Sequence, residues 1–315
     1  MTASLPLALQ LCPLSPYLEQ ALGQRVAICR WFELDGAGQA AWLAAHAGDV
    51  RAVLTGGHIG CPADLMQALP ALGLIAINGV GFDKVDLKLA AARGVLVGNT
   101  PDVLTDDVAD LAVGLVIGLL RDLAGADAYV RAGHWGHRDW PLARKVSGRR
   151  FGIVGLGRIG AAIARRLEPF GPVSYCGTAP KDVAWAYHPD AATLAAHCDV
   201  LVVACAANAA TQGLINADVL AALGPQGYLV NVARGSVVDE AALAQALAAG
   251  HIAGAALDVF ADEPNVPDSL LACDNTFFTP HIASATVETR LAMADLVLAN
   301  LDAFLAGRDL PARVV

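Results

Sequence analysis

The amino-acid sequence lacks the features that mark several large classes of protein. It has no basic run and a formal net charge of −9 over 315 residues, which argues against nucleic acid as a partner. Its seven cysteines form no CxxC pair and have no histidine at ligand spacing, so neither disulfides nor a metal site are expected. The most apolar run, residues 111–120, is about half a bilayer span, so no membrane segment is expected. Because the N-terminal residues lack the pattern of a signal peptide, we expect a cytoplasmic protein.

The composition and length of the chain suffice for two apolar cores, because 56% of the residues are hydrophobic and 315 residues suit two domains. In the first third, short apolar runs alternate with helical patterns, which predicts a parallel sheet covered on both faces. The predicted strands are 7–11, 26–29, 52–54, 74–77 and 95–97, and the predicted helices are 17–22, 39–47, 63–69 and 85–93.

Glycine turns follow two of these strands, at residues 55–57 and 78–81. Ligands bind at the carboxyl ends of strands in open α/β sheets, although tight turning alone would explain the glycines equally well.

The middle of the chain combines a long helix with a loop rich in tryptophan. Thr105 is placed to cap the helix, with Asp106 and Asp107 in its first turn, where the helix dipole favours negative charge. Residues 111–120 are apolar nearly all round, as expected of a buried helix. Trp135 and Trp140 follow in a polar loop, which indicates an interface or a half-buried anchor, with core packing as the alternative.

A second α/β series begins at residue 149, with predicted strands 150–154, 173–176, 200–203, 228–232 and 253–259. The first strand runs into a GLGRIG turn at 155–160 and then into an amphipathic helix, the context that a dinucleotide-binding fingerprint requires. The first glycine makes the turn, the second admits a pyrophosphate, and the third lets the helix pack on the strand. The sequence therefore predicts a doubly wound dinucleotide-binding domain.

The last part of the sequence is a predicted helix, Val287–Leu305, long enough to fold back onto the first domain. Its predicted apolar stripe consists of Leu291, Ala294, Leu298, Leu301 and Leu305.

Three polar residues lie just beyond apolar strand-like runs of the second half: Arg234, Glu263 and His281. A guanidinium binds carboxylate and carbonyl oxygens, and an imidazole beside a carboxylate exchanges protons near neutral pH. Taken singly, these residues have simpler interpretations, as a sheet-edge ion pair, a solvated turn acid and a capping side chain. Their common position beside a dinucleotide site favours catalysis.

The motifs around these residues are long and ordered. Segments 232–240 (VARGSVVDE), 256–264 (ALDVFADEP) and 279–281 (TPH) resemble the D-isomer-specific 2-hydroxyacid dehydrogenase family, and the similarity extends to 99–105 and 284–296. Within the family it is strongest with the glyoxylate/hydroxypyruvate reductase branch, including hydroxyphenylpyruvate-reductase-like proteins. The resemblance implies a Rossmann-type cofactor domain, residues 99–284, inserted into a flavodoxin-like substrate domain, residues 1–98 plus 285–315.

The resemblance also implies an activity: reduction of a small 2-oxo acid by hydride transfer, giving a D-2-hydroxy acid. Arg234 would bind the substrate carboxylate and polarise the 2-oxo group, His281 would be the acid/base, and Glu263 would be its partner. The remaining substrate contacts are expected from Gly57, Val80, Gly81 and Trp140. Cofactor contacts are expected from Gly155, Leu156, Gly157, Arg158, Ile159, Gly160, Gly177, Thr178, Lys181, Val232, Asp258, Ser284 and Thr105. Family members dimerise through the cofactor domain, so a homodimer is expected, with the Trp135–Trp140 loop crossing to the partner.

The end of the second cofactor-domain strand bears on the choice between NAD and NADP. NAD enzymes usually place an acidic residue there, but residues 175–181 read YCGTAPK. Thr178 can donate a hydrogen bond, and Lys181 and Arg158 add positive charge, so we expect NADP(H) to be preferred, with NAD(H) possible. NADP-preferring relatives commonly have Ser-Arg at positions 177 and 178, and Ala206 replaces a usual proline, so the chain departs from the family pattern here.

Two other functions stay open on the sequence alone. One is an NAD-dependent D-2-hydroxyacid, phosphoglycerate or formate dehydrogenase, which the missing acidic residue argues against. The other is a nicotinamide-sensing binding module of the same fold, for which the expected additional interaction segments are not seen.

Overall fold

The computed structural model describes residues 5–315, and the chain divides into two compact units. The first unit combines the described residues up to Leu104 with Thr286–Val315, and the second is Thr105–Ala285. The sequence placed the two boundaries at 98/99 and 284/285. Residues 1–4 of the predicted first domain lie outside the described residues.

The first unit is a parallel five-stranded sheet in the order β2-β1-β3-β4-β5, which is the flavodoxin-like order. Its strands are β1 (Leu7–Gln10), β2 (Ala27–Arg30), β3 (Val50–Gly56), β4 (Leu74–Asn78) and β5 (Leu96–Gly98). Its helices are α1 (Pro16–Gly23), α2 (Gly36–His46), α3 (Ala63–Ala68), α4 (Leu87–Ala92) and α12 (Val287–Leu305), with a 3₁₀ turn at Trp31–Glu33. The predicted strands and helices of this unit are confirmed to within a few residues at each end.

Helix α12 covers one face of this sheet. Successive residues of a strand point to opposite faces, so Leu74 and Ala76 of β4 share a core with α12 while Ile75 and Ile77 join the other core. The buried face of α12 includes Ala294, Leu298 and Leu301, as predicted, but it continues through Met293 and Val297. The predicted stripe was wrong at its two ends, because Leu291 and Leu305 are exposed.

The second unit is a parallel seven-stranded sheet in the order β12-β11-β10-β9-β6-β7-β8, a doubly wound arrangement with one strand added at the β12 edge. Its strands are β6 (Phe151–Val154), β7 (Val173–Cys176), β8 (Ala186–His188), β9 (Val200–Val203), β10 (Tyr228–Asn231), β11 (Gly254–Leu257) and β12 (Thr276–Phe278). Its helices are α5 (Thr105–Arg121), α6 (Leu123–Arg131), α7 (Arg158–Leu167), α8 (Ala191–Ala195), α9 (Ala217–Leu223), α10 (Glu240–Ala248) and α11 (Asp268–Leu271), with a 3₁₀ turn at Gly235–Val237. The Rossmann-type prediction is confirmed.

Three local features of the second unit differ from the sequence prediction. Thr105 is the first residue of α5 rather than the cap before it. Strand β8 was not predicted, because it is a three-residue edge strand that is only partly buried. Helix α6 was also missed, although Asp122 gives a capping signal: its side chain accepts a hydrogen bond from the Gly125 N–H at 3.2 Å.

The segment after α6 exposes several large apolar side chains. Trp135 is 78% exposed and Leu142 is fully exposed, and Leu123 and Val130 of α6 are also on the surface. Trp140 is half-buried against Tyr129, with 5.0 Å between the ring centroids. Within residues 5–315, no helix combines the length and the apolar character that crossing a bilayer needs.

Candidate active site

The turn after β6 has the geometry of a dinucleotide-binding loop. Gly155 has a φ of +91°, and a Cβ there would lie 2.5 Å from the Cα of Cys205, so only glycine fits. A Cβ on Gly160 would lie 2.0 Å from the Gly155 carbonyl oxygen, so this glycine allows the helix to pack on the turn. A Cβ on Gly157 would meet no heavy atom within 4 Å. The middle glycine therefore faces open space, as a loop that cradles a pyrophosphate requires.

The start of α7 is suited to phosphate. Gly157 directly precedes α7, and no side chain caps the N–H groups at the start of this helix. The first residue of α7, Arg158, is exposed. Free N–H groups and the positive end of the helix dipole together favour an anion at this position. The residues present thus fit the pyrophosphate of a nicotinamide dinucleotide.

The end of β7 brings a cation to the same loop. The Lys181 ammonium donates a hydrogen bond to the Leu156 carbonyl oxygen at 2.5 Å, and the Lys181 N–H donates to the Tyr175 hydroxyl at 2.6 Å. Gly177 and the exposed Thr178 lie between β7 and Lys181. The ammonium group of Lys181 is therefore held beside the glycine turn, where it adds a positive charge. Residues 173–181 contain no carboxylate side chain.

His281 and Glu263 form a hydrogen-bonded pair at the carboxyl edge of this sheet. The His281 Nδ1 and Glu263 Oε2 atoms are 2.7 Å apart, and both side chains are half-buried. Burial acts to raise the pKa of Glu263, but the hydrogen bonds from His281 and from the Phe260 N–H, together with the charges of His281 and Arg234, outweigh burial and lower it. Glu263 is therefore ionised at neutral pH and can only accept, so Nδ1 carries the proton of this hydrogen bond.

Asp258, which follows β11, holds the turn that carries His281. Its fully buried carboxylate accepts hydrogen bonds from the Thr279 hydroxyl at 2.6 Å, the Ile282 N–H at 2.8 Å and the Ala283 N–H at 3.0 Å. The Asp258 carbonyl oxygen also accepts from the His281 N–H at 2.8 Å. This support keeps His281 at a φ of +54°, a conformation that costs a non-glycine residue about 1 kcal/mol or more. Sequence reasoning did not foresee this supporting function of Asp258.

Arg234 leaves the neighbouring strand β10 through a tightly built turn. The buried Asn231 side chain donates to the Arg234 carbonyl oxygen and accepts from the Ala233 N–H, both at 3.0 Å. A Cβ on Gly235 would lie 1.9 Å from the Phe260 carbonyl carbon. The turn that presents Arg234 therefore packs directly on the backbone of the turn that presents Glu263, and glycine is the residue that permits this contact.

A cavity of about 260 Å³ adjoins the Glu263–His281 pair. Its wall is mostly apolar, and Phe260 and Phe278 meet there edge to face with their ring centroids 5.6 Å apart. The lining residues are Phe260, Glu263, Pro264, Val266, Leu271, Phe278, Thr279, Pro280 and His281.

In the first unit, the predicted substrate residues follow strands β3 and β4. Gly57 is buried, and Val80 and Gly81 are half-buried. The Val80 carbonyl oxygen accepts a hydrogen bond from the Asn99 side chain at 2.8 Å, and the Asn99 carbonyl oxygen accepts from the Asn300 side chain at 3.2 Å. These two buried asparagines brace the Val80 turn, a function that the sequence did not suggest.

The remaining predicted contacts are distributed around the second unit. Val232 is buried just beyond β10, Ser284 is half-buried in the turn after His281, and Ile159 lies in the first turn of α7. Among residues 5–315, no group of histidine, cysteine and acidic side chains has the arrangement of a metal site.

A doubly wound nucleotide-binding unit that presents an arginine and a His–Glu pair at its sheet edge is characteristic of an NAD(P)-dependent oxidoreductase. Residues 113–283 match the family model of the D-isomer specific 2-hydroxyacid dehydrogenase NAD-binding domain. The chain belongs to this family.

Individual relatives cover almost the whole chain. Hydroxyphenylpyruvate reductase of Plectranthus scutellarioides is 46% identical over 98% of both chains, and glyoxylate/hydroxypyruvate reductase A of Arabidopsis thaliana is 45% identical over the same shares. The crystal structure of an NADPH-dependent glyoxylate/hydroxypyruvate reductase from Sinorhizobium meliloti, in complex with NADP and malonate, is also similar. It is 44% identical, covers 99% of this chain and 97% of its own, and has a TM-score of 0.92.

Substitution of two glycines of the β6–α7 turn should separate binding from folding. We expect Gly157→Ala to weaken NADPH binding roughly tenfold, about 1.4 kcal/mol, because its methyl group would point into the open space, while the melting temperature stays near the wild-type value. Gly160→Ala should instead lower the melting temperature, because its methyl group would meet the Gly155 carbonyl. Fluorescence titration with NADPH and thermal unfolding measure the two effects. Equal loss of stability in both variants would contradict this account of the turn.

Proposed function

We propose that the protein is an NADPH-preferring reductase of small 2-oxo acids of the glyoxylate/hydroxypyruvate type, which forms D-2-hydroxy acids with His281 as the proton donor. The observation that carries the proposal is the 2.7 Å hydrogen bond between His281 and Glu263, next to the turn that presents Arg234. The names of the Arabidopsis and Sinorhizobium relatives support the substrate class.

Substrate binding in this proposal rests on Arg234. Its planar guanidinium can hold a carboxylate oxygen and the 2-oxo oxygen at the same time, which orients the acid and draws electron density from the carbonyl carbon. The backbone N–H groups of Val80 and Gly81, with Gly57, are proposed to bind the carboxylate, and Trp140 to contribute to the substrate pocket.

Proton transfer rests on His281. When bound, the reduced nicotinamide supplies the hydride that reaches the 2-oxo carbon. The ionised Glu263 accepts from Nδ1 and stabilises the imidazolium, which directs the Nε2–H toward the substrate. The Nε2 proton moves to the 2-oxo oxygen as that oxygen gains negative charge, and His281 is left neutral. Asp258 keeps the imidazole in place during this transfer through the hydrogen bonds to its turn.

The preference for NADPH rests on the end of β7. An ordinary NAD site has a carboxylate there to bind the ribose hydroxyls, and that carboxylate would repel a 2′-phosphate. Here Thr178 is exposed and the Lys181 ammonium lies against the Leu156 carbonyl. Arg158 adds a second positive charge at the start of α7. The Sinorhizobium relative, which is named NADPH-dependent, supports this preference.

A specific observation favours aryl 2-oxo acids as additional substrates. The apolar cavity beside His281 has about 260 Å³ of space and an edge-to-face pair of phenylalanines in its wall. An aromatic ring fits such a wall through further edge-to-face contacts. The name of the Plectranthus relative agrees with this second candidate.

The proposal includes a homodimer in the cytoplasm. The surface formed by α6 and the following segment supports association, because Trp135 and Leu142 are exposed large apolar side chains on one part of the second unit. Light scattering should give twice the mass of the chain in solution. A monomer at micromolar concentration would contradict this part of the proposal.

Activity provides the direct test of the function. We expect oxidation of NADPH, followed at 340 nm, with glyoxylate, hydroxypyruvate or an aryl pyruvate, and a D-configured product where the product is chiral. His281→Ala should lower kcat about 10²- to 10⁴-fold with NADPH binding nearly unchanged, because it removes the proton donor. His251→Ala replaces an exposed histidine of the same unit and serves as the control. Absence of activity with every acid, or full activity of His281→Ala, would refute the proposal.

Cofactor preference is tested separately. Lys181→Ala should raise the KM for NADPH roughly tenfold, since a charge-assisted hydrogen bond contributes about 1.5 kcal/mol, and should leave the KM for NADH nearly unchanged. Lys88→Ala, in the first unit, controls for the loss of one positive charge. Equal effects of Lys181→Ala on both cofactors would show that Lys181 does not contact the 2′-phosphate.

A further inference from the structure

A second glutamate supports the turn that carries Glu263. Glu240 is the half-buried first residue of α10, and its Oε1 atom accepts a hydrogen bond from the Ala261 N–H at 2.7 Å. The preceding N–H, that of Phe260, donates to Glu263 itself at 3.0 Å. Two successive N–H groups of this turn are therefore bound by two different carboxylates.

Capping of α10 does not account for the position of Glu240. Asp239 already caps the helix, because its side chain accepts from the Ala242 N–H at 3.0 Å. The Glu240 side chain is directed away from its own helix toward Ala261. Among residues 5–315, no basic side chain forms a salt bridge with it.

The charge of Glu240 is coupled to the catalytic pair. Burial raises the pKa of Glu240, and the charges of Asp262 and Glu263 raise it further against the hydrogen bond from Ala261. The charges of Arg234 and His281 act in the opposite direction, because they lower the pKa of Glu263. Glu240 and Glu263 therefore repel each other across the turn whose N–H groups bind both carboxylates, while Arg234 attracts Glu263.

We propose that Glu240 is a positioning residue for the His281–Glu263 pair: it fixes the turn through the Ala261 N–H, and its negative charge helps the pair to keep a proton at higher pH. The inference rests on the proposed function of His281 as a proton donor. Once the pair has given its proton to the substrate, it carries a net negative charge, which the nearby Glu240 carboxylate repels. Reduction should therefore persist to higher pH than it would without this charge.

Two substitutions separate the hydrogen bond from the charge. Glu240→Gln keeps an oxygen that can accept from Ala261 and removes the charge, whereas Glu240→Ala removes both. For Glu240→Gln we expect the alkaline limb of the pH profile of kcat/KM for reduction to move down by roughly 0.5 pH unit, with the plateau kcat within about twofold of wild type. For Glu240→Ala we expect the same shift and a kcat about tenfold lower, with the KM for NADPH unchanged, because the turn also loosens. Asp218→Asn, an exposed acid in the first turn of α9, is the matched control and should shift nothing.

An NMR titration of the His281 imidazole in wild type and Glu240→Gln provides a readout that does not depend on turnover. If the midpoint of the His281 titration moves down in Glu240→Gln, the positioning function of Glu240 is supported even when the protein reduces no 2-oxo acid. In that case only the proposed function fails. Unchanged pH profiles in an active enzyme, or an unchanged NMR midpoint, would overturn the inference. If Glu240→Ala does not fold, the pH profile and the NMR midpoint of Glu240→Gln alone test the inference.

Discussion

The hydrogen bond between Glu263 and His281 is the interaction on which the candidate site depends. It joins two turns that follow adjacent strands, β11 and β12, and the turn after the next strand, β10, carries Arg234. Because all strands of this sheet are parallel, their carboxyl ends lie at one edge, and residues far apart in sequence meet there. The hydrogen bond forms only if the turns keep their relative positions, and much of the surrounding structure holds them there.

Three buried features hold the turns. Asp258 accepts hydrogen bonds from the Thr279 hydroxyl before His281 and from the Ile282 N–H after it. Asn231 shapes the turn before Arg234, and Gly235 lets the Arg234 turn lie against the Phe260 backbone. Asp258 and Asn231 give buried polar groups protein partners in place of water, which is the condition for keeping such groups inside a protein. The result is a rigid support for a proton-transferring side chain, whose position must be accurate to a fraction of an ångström.

The sequence was most informative where local chemistry determines structure. The glycine turn at 155–160 and the apolar runs of the buried strands could be recognised because turn geometry and burial constrain those residues directly. Arg234, Glu263 and His281 were found because they stand where apolar runs stop. The edge strand β8 and the short helix α6 were missed, since neither is buried enough to leave a clear pattern.

The supporting residues were the hardest to foresee. The hydrogen bonds of Glu240, Asn99 and Asn300 reach turns that are 19 to 201 residues distant in sequence, so no local pattern reveals them. The ends of the α12 stripe were wrong because the spacing of leucines alone did not fix the rotation of the helix about its axis. Leu291 is two residues from the buried Thr289 and Met293, and Leu305 is two residues from the buried Ala303, so both point away from these buried neighbours.

The most direct test of the central claim is a crystal structure of the protein with NADP⁺ and oxalate, which imitates a 2-oxo acid. If His281 donates the proton and Arg234 binds the substrate, one oxalate oxygen should lie about 3 Å from both the His281 Nε2 atom and the Arg234 guanidinium, with Nδ1 still bonded to Glu263. Oxalate bound away from both side chains, or His281 Nε2 bonded to the protein in that complex, would contradict the account.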